Sequence, residues 1–141
     1  MTDLTSSKEF VFGIRVYYED TDAGGVVFYA NYLKFFERAR TEWLRTLGFH
    51  QSDMAGRLQR MFVVAGLDMD YRKPARLDDL LTIRSRVTRL GRASIHFAQR
   101  AERQGELIAS GNIQICCVDT ANLRPAELPA DVRASLQPIQ E

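Results

Sequence analysis

Histidine, lysine and cysteine are all scarce in this 141-residue chain. The only histidines are His50 and His96, so a serine–histidine triad or a multi-histidine metal site is not expected. No G-x-S-x-G elbow surrounds Ser52, Ser85, Ser94 or Ser110, and the chain has no Walker A or G-x-G-x-x-G loop. Lysine occurs only at Lys8, Lys34 and Lys73, and the remaining basic residues are arginines. A guanidinium-rich surface suits bidentate contacts with phosphate or carboxylate, although a GC-rich coding sequence would produce the same bias. The two cysteines, Cys116 and Cys117, are adjacent in a strand-like run, where neighbouring side chains point to opposite faces and cannot readily bridge. They fit a reducing compartment and read as packing residues. No apolar run reaches membrane-spanning length, and "MTDLTSSKEF" has no basic region followed by an apolar core. A cytoplasmic protein that does not span a membrane is expected. The formal net charge is only +1, which gives no general affinity for nucleic acid.

What is present fits one domain over residues 1–141, with 45% hydrophobic and 26% charged residues. Residues 9–18, "EFVFGIRVYY", predict a first strand with a bulge or close contact at Gly13. Apolar residues then recur at Tyr29, Leu33, Phe36, Trp43 and Leu47, the spacing of a helix that Gly48 would stop. Tyr32, Phe35, Ala39 and Leu44 widen its apolar stripe, so more than one surface should cover it. "LDMDYRKPARLDD" alternates as a half-buried strand, with a turn at Leu77 to Asp79. Residues 80–120 read as three antiparallel strands joined by turns at Gly91 and at Gln104-Gly105, and Pro129 opens a short terminal helix. One long helix followed by an antiparallel meander is an α+β arrangement with the sheet wrapped on the helix.

The chemistry concentrates in "YYEDTDAGGVVFYANYLKFFERARTEW", where Glu19, Asp20 and Asp22 precede Gly24-Gly25 and the helix. If Glu19 to Asp22 is extended, Asp20 and Asp22 point the same way, and the first free N–H groups of the helix lie near Asp22. A carboxylate beside such donors can attack a carbonyl or activate water while the N–H groups hold the oxyanion. A thioester suits this pairing because a thiolate leaves without much help from a general acid. The same acidic residues could equally do no more than cap the helix, and spacing leaves both readings open, capping being the commoner one.

The string from Tyr17 to Arg45, together with "YRKPARLDDLLTI" and "GRASIHFAQR", closely resembles the hotdog-fold acyl-CoA thioesterases of the 4-hydroxybenzoyl-CoA thioesterase type. Within that family it looks most like the branch associated with the Tol-Pal cell-envelope system. The resemblance implies Asp22 as nucleophile or general base, the backbone N–H of Tyr29 as the donor that polarises the thioester carbonyl, and Gly25 as a shaper of the turn. Position 29 often carries histidine in the Tol-Pal branch, whereas aryl-thioesterase relatives carry tyrosine, as here. A short-chain or aryl acyl-CoA is therefore the expected substrate, cleaved without a metal or a cofactor beyond the substrate's own coenzyme A.

For the coenzyme A phosphates the candidates are Arg84, Arg86, Arg89 and Arg92, with Ser94, around the Gly91 turn; a solvated basic strand face is the competing reading. Asp78 and Asp79 read as turn residues, and Arg38, Arg40 and Glu42 as helix-surface or subunit-contact pairs. The family also implies a homodimer or homotetramer with joined sheets and interfacial active sites. Two other functions compete. A hotdog hydratase or dehydratase would pair a histidine with the acidic residue, and neither His50 nor His96 lies where that is expected. A binding module for an acyl carrier protein or an envelope complex would use the arginine-rich strands.

Overall fold

The computed structural model describes residues 8–141. The leader-free start read from "MTDLTSSKEF" falls largely on residues 1–7, outside the described residues. Strand β1 (Glu9–Arg15) leads through a 3-10 turn (Tyr18–Asp20) and a loop into helix α1 (Asn31–Thr46). A short helical turn α2 (Gln51–Asp53) continues into a π-turn (Met54–Leu58). Strands β2 (Arg60–Tyr71), β3 (Leu80–Leu90), β4 (Ser94–Arg103) and β5 (Glu106–Asp119) follow, then helix α3 (Ala130–Leu136). All five strands join one antiparallel sheet in the order β1-β3-β4-β5-β2.

Period-two alternation decides which face of the sheet is covered. Leu81, Ile83, Ser85 and Val87 are buried along β3, as are Ile95, Phe97, Gln99 and Ala101 along β4. The intervening side chains face the other way and are partly exposed. Onto the buried face packs the wide stripe of α1, with Tyr32, Phe35, Phe36, Ala39 and Trp43 in one cluster with the strand residues. The Trp43 ring stacks on Phe10 at 5.7 Å and meets Phe97 edge-on at 6.0 Å. The turns sit where the glycines predict them: Gln104 and Gly105 both have positive φ (51° and 81°), as a two-residue hairpin between β4 and β5 requires. Cys117 is buried and Cys116 half-buried on opposite faces, and both are free thiols.

The structure corrects several expectations. β1 ends at Arg15, because Tyr17 and Tyr18 leave the sheet for the 3-10 turn. Gly13 carries no bulge: β1 pairs with β3 in unbroken register from Glu9–Arg86 to Arg15–Leu80, and a Cβ there would find Leu80 at an ordinary 3.9 Å. The irregularities lie instead at Val64/Gly66, Val87/Arg89 and Ala101/Glu102. The strand before Pro74 begins as early as Arg60, and its Leu67 and Tyr71 are exposed rather than half-buried because β2 is an edge strand.

Gly48 does stop α1, with φ of +95° and its N–H donating to the Arg45 carbonyl. A Cβ at Gly48 would meet nothing within 4 Å, so replacement costs backbone strain alone. Gly48→Ala is expected to lower the unfolding free energy by about 1–2 kcal/mol, read as a shift of the urea midpoint at constant slope.

Candidate active site

The segment between β1 and α1 is held by one buried carboxylate. Asp20, only 4% exposed, accepts the Tyr17 N–H at 2.8 Å on one oxygen and the Asn31 side-chain amide at 2.6 Å on the other. The first bond closes the 3-10 turn and the second ties it to the first residue of α1. The backbone carbonyl of Asp20 also accepts the Phe28 N–H at 3.0 Å. Glu19 to Asp22 is therefore not an extended run: Asp20 turns inward and Asp22 is exposed. The sequence expectation that the two aspartates share a direction fails because the turn, closed by Asp20 itself, comes between them.

Past Asp20 the chain doubles back, with Thr21 bridging Val27 and the Asp22 N–H donating to the Val26 carbonyl at 2.9 Å. Gly25, at φ of +79°, allows the reversal. One oxygen of Asp22 accepts the N–H of Gly24 at 2.8 Å and of Val26 at 3.4 Å; its other oxygen takes no hydrogen bond among the described residues. Gly24 also matters, because a Cβ there would sit 3.3 Å from the Asp22 carboxylate and crowd it. The loop is docked on the far side by the Val27 N–H to the Ala75 carbonyl, 2.8 Å, and by a Val26–Arg76 bridge. Asp79 secures that support by accepting the Arg76 N–H and the Arg103 guanidinium. Burial alone would raise its carboxyl, but these donors and the two arginine charges hold it below its ordinary value.

Helix α1 begins at Asn31, so Tyr29 lies just before it rather than within it. The Asn31 N–H is taken by the Phe28 carbonyl at 2.8 Å and the Leu33 N–H by Ala30 at 3.1 Å. Among the described residues the N–H groups of Tyr29 and Tyr32 have no such partner, as a helix start leaves them. The Tyr29 ring is 64% exposed, packed on Phe28 and edge-on to Tyr71. The Tyr71 hydroxyl donates to the Tyr29 carbonyl at 2.9 Å and so fixes the orientation of that residue's backbone. The Phe28 N–H to Asp20 carbonyl bond brings together the two chain segments that carry Asp22 and Tyr29.

The arginine group is arranged differently. Arg84 donates to Glu9 and Glu102 at 2.9 and 2.8 Å, Arg100 joins the same two carboxylates, and Arg86 pairs with Glu141. Arg84 and Arg86 are thus already matched to carboxylates within the chain. Arg89 and Arg92 are exposed, with no ion pair among the described residues, and Ser94 folds against Gly91. The Gly91 turn stands at the opposite end of β3 from the Asp22 loop, roughly 30 Å along the strand. One chain does not bring the two groups together.

This network also carries a pH dependence. Burial pushes the Glu102 carboxyl up, but hydrogen bonds from Arg100 and Arg84 outweigh it and hold the group below 4.5. A depressed carboxyl stabilises the fold above its unfolded value, and that contribution is lost as pH falls through the folded one. Glu102→Gln is therefore expected to be less stable than the parent at pH 7, with the gap closing below pH 4.5, as thermal melts across pH would show.

His50 lies beyond α1, and His96 is on the outer face of β4 opposite Arg89 and Gln114, so neither meets Asp22. Burial pushes the Cys117 thiol up, away from nucleophilic use. Among the described residues no three His, Cys, Asp or Glu side chains stand close enough to hold a metal ion, and no helix is long and apolar enough to cross a membrane. Asn31 and Tyr71 carry no signal in the sequence beyond helix start and strand; their partners come only with the fold.

Comparison with known proteins bears on the family and the fold. The sequence profile described as the thioesterase superfamily matches residues 24–109. The acyl-CoA thioesterase YbgC of Haemophilus influenzae is 45% identical over 93% of this chain and 96% of its own length. Among solved structures, the probable thioesterase of Bartonella henselae superposes with a TM-score of 0.82 at 35% identity, covering 86% of this chain and 99% of that one. A gentisyl-coenzyme A thioesterase superposes at 0.80 with 30% identity, over 87% of this chain and 98% of its own. A five-stranded antiparallel sheet packed on one long helix, with the matched profile taking in the Gly24-Gly25 turn and most of the sheet, places this chain in the thioesterase superfamily with the hotdog fold.

Proposed function

We propose that this thioester hydrolase cleaves short-chain or aryl acyl-CoA to the free acid and coenzyme A, with Asp22 as the carboxylate that attacks the carbonyl or activates water. The observation that carries this reading is the junction at Asp20, which, among the described residues, presents an Asp22 oxygen without a donor and a helix start whose Tyr29 N–H has no acceptor. A carbonyl oxygen seated on that N–H would be polarised, and one such donor is worth about 3–4 kcal/mol in the transition state. The thiolate then departs without a general acid, which suits a site lacking histidine. No metal or cofactor is required by these steps.

The acyl preference draws on the neighbours' names: one acts on acyl-CoA and one on gentisyl-coenzyme A, and the exposed rings of Phe28, Tyr29 and Tyr71 offer an aromatic group a stacking surface. Assembly follows from the edge strand β2, whose Val64, Leu67 and Tyr71 are exposed and unpaired on the outer side. A second copy joined there would cover them, and only a second copy could bring the Arg89 and Arg92 end of a sheet near an Asp22 loop. A panel of butyryl-, hexanoyl- and benzoyl-CoA, followed by thiol release, tests the substrate class. Turnover confined to long-chain thioesters would contradict it.

A further inference from the structure

Arg40 is an unusual residue for a helix surface: it is 8% exposed, in the middle of α1. Its guanidinium donates to the Gln99 side-chain oxygen at 2.9 Å and lies 5.9 Å from the centre of the Phe97 ring. Gln99 is itself pinned, its amide nitrogen donating to the Phe36 carbonyl and the Ser85 hydroxyl, so its oxygen is held toward Arg40. These contacts use one of five N–H donors and supply no negative charge. Among the described residues no carboxylate lies within ion-pair distance of Arg40; Glu37, one turn earlier, is exposed and acts on it only at longer range.

Beside this cation is a cavity of about 100 Å³, whose apolar wall includes Leu44, Phe62, Val64 and Phe97 and whose polar wall is Arg40 with Glu37, Thr41 and Gln51. Among the described side chains only Arg86 Nε is sealed from solvent without a partner, so the Arg40 nitrogens that make no hydrogen bond keep some access to solvent, and Arg40 is one of the residues lining the cavity. Burial pulls the guanidinium down to about 10, with Glu37 partly offsetting it, yet Arg40 stays charged at neutral pH. A largely buried cation with no ion pair among the described residues, offset only at longer range by Glu37 and sharing its wall with Leu44, Phe62, Val64, Phe97 and Ile115, is matched by a ligand with a short apolar body and one negative end. The space suits a small acid rather than a whole acyl-CoA.

We propose that the Arg40 cavity binds the carboxylate of a short organic acid. Two sources share that chemistry: the free acid released by hydrolysis, and the far end of a dicarboxylic acyl thioester. Trp43, the one tryptophan, packs on the same Phe97 ring and reports the cavity by fluorescence. Titration with sodium butyrate, at matched ionic strength, is expected to give a saturable change that isosteric butyramide does not. Arg40→Met is expected to weaken butyrate binding about tenfold or more, and Arg40→Lys to retain part of it. Equal responses to butyrate and butyramide in the parent, or undiminished butyrate binding in a folded Arg40→Met, would overturn the proposal. The parent comparison stands even if the variant fails to fold, and it does not depend on thioester cleavage. A second arm rests on the proposed hydrolysis. A preference for glutaryl-CoA over pentanoyl-CoA that Arg40→Met abolishes identifies the acyl far end, and butyrate binding without that preference identifies the free acid.

Discussion

Asp22→Asn should retain the fold and lose acyl-CoA cleavage by about 10²–10⁴-fold in kcat, the range for removing a group that transfers or relays a proton in the transition state. That corresponds to roughly 3–5 kcal/mol of barrier. The substitution is clean because the asparagine oxygen can still accept the N–H groups of Gly24 and Val26 that the carboxylate accepts at 2.8 and 3.4 Å. Asp22 is exposed, so the unfolding free energy should move by no more than about 0.5 kcal/mol. What disappears is the negative charge and the lone pair able to attack carbon or take a proton from water. A merely capping aspartate would show the reverse pattern, with turnover kept and a small loss of stability.

Asp20→Ala should be the more damaging change for folding. It strips the acceptor from the Tyr17 N–H and from the Asn31 amide, which is 6% exposed. A buried donor left unpaired costs about 1–3 kcal/mol, and the lost turn closure adds about 0.5–2 kcal/mol. The sum is about 1.5–5 kcal/mol, enough to lower the melting temperature by roughly 5–20 °C in a chain of this size. Asp20→Asn should be milder, since an amide oxygen can serve one of the two donors and the Asn31 amide can flip to meet the other. Differential scanning calorimetry of the three proteins at pH 7 checks the order. A melting temperature for Asp20→Ala within 1 °C of the parent, taken as roughly the error of the method, would show that the junction is not held by this carboxylate.

The two aspartates show what the sequence can and cannot convey. That charge precedes a buried helix was legible, and so was the role of Gly25 in the reversal, because positive φ has a residue signature. The division of labour between Asp20 and Asp22 was not, since it depends on a three-residue turn that the same letters could also leave extended. The meander was legible because alternation and glycine turns act locally: Leu81, Ile83 and Val87 fall on one face whatever lies above them. Residues 60–66, "RMFVVAG", carry no alternation, and only pairing with β5 some fifty residues later makes them a strand. Arg40 marks the same limit from the other side. An arginine at i+4 from Phe36 reads as surface, and the partner that lets it sit inside, Gln99, is 59 residues away. Likewise the cluster of arginines around Gly91 was visible, whereas the engagement of Arg84 with Glu9 and Glu102 was fixed only by strand order.

Release of coenzyme A thiol from butyryl-, hexanoyl- and benzoyl-CoA, by the parent and by Asp22→Asn side by side, tests the central claim most directly. The signal from Cys116 and Cys117 is subtracted as a fixed background. The expected result is turnover by the parent on at least one substrate, thiol and free acid appearing in equal amounts, and loss of both in Asp22→Asn. Equal rates for the two proteins on every substrate cleaved, or no release by the parent above the uncatalysed rate, would contradict the account.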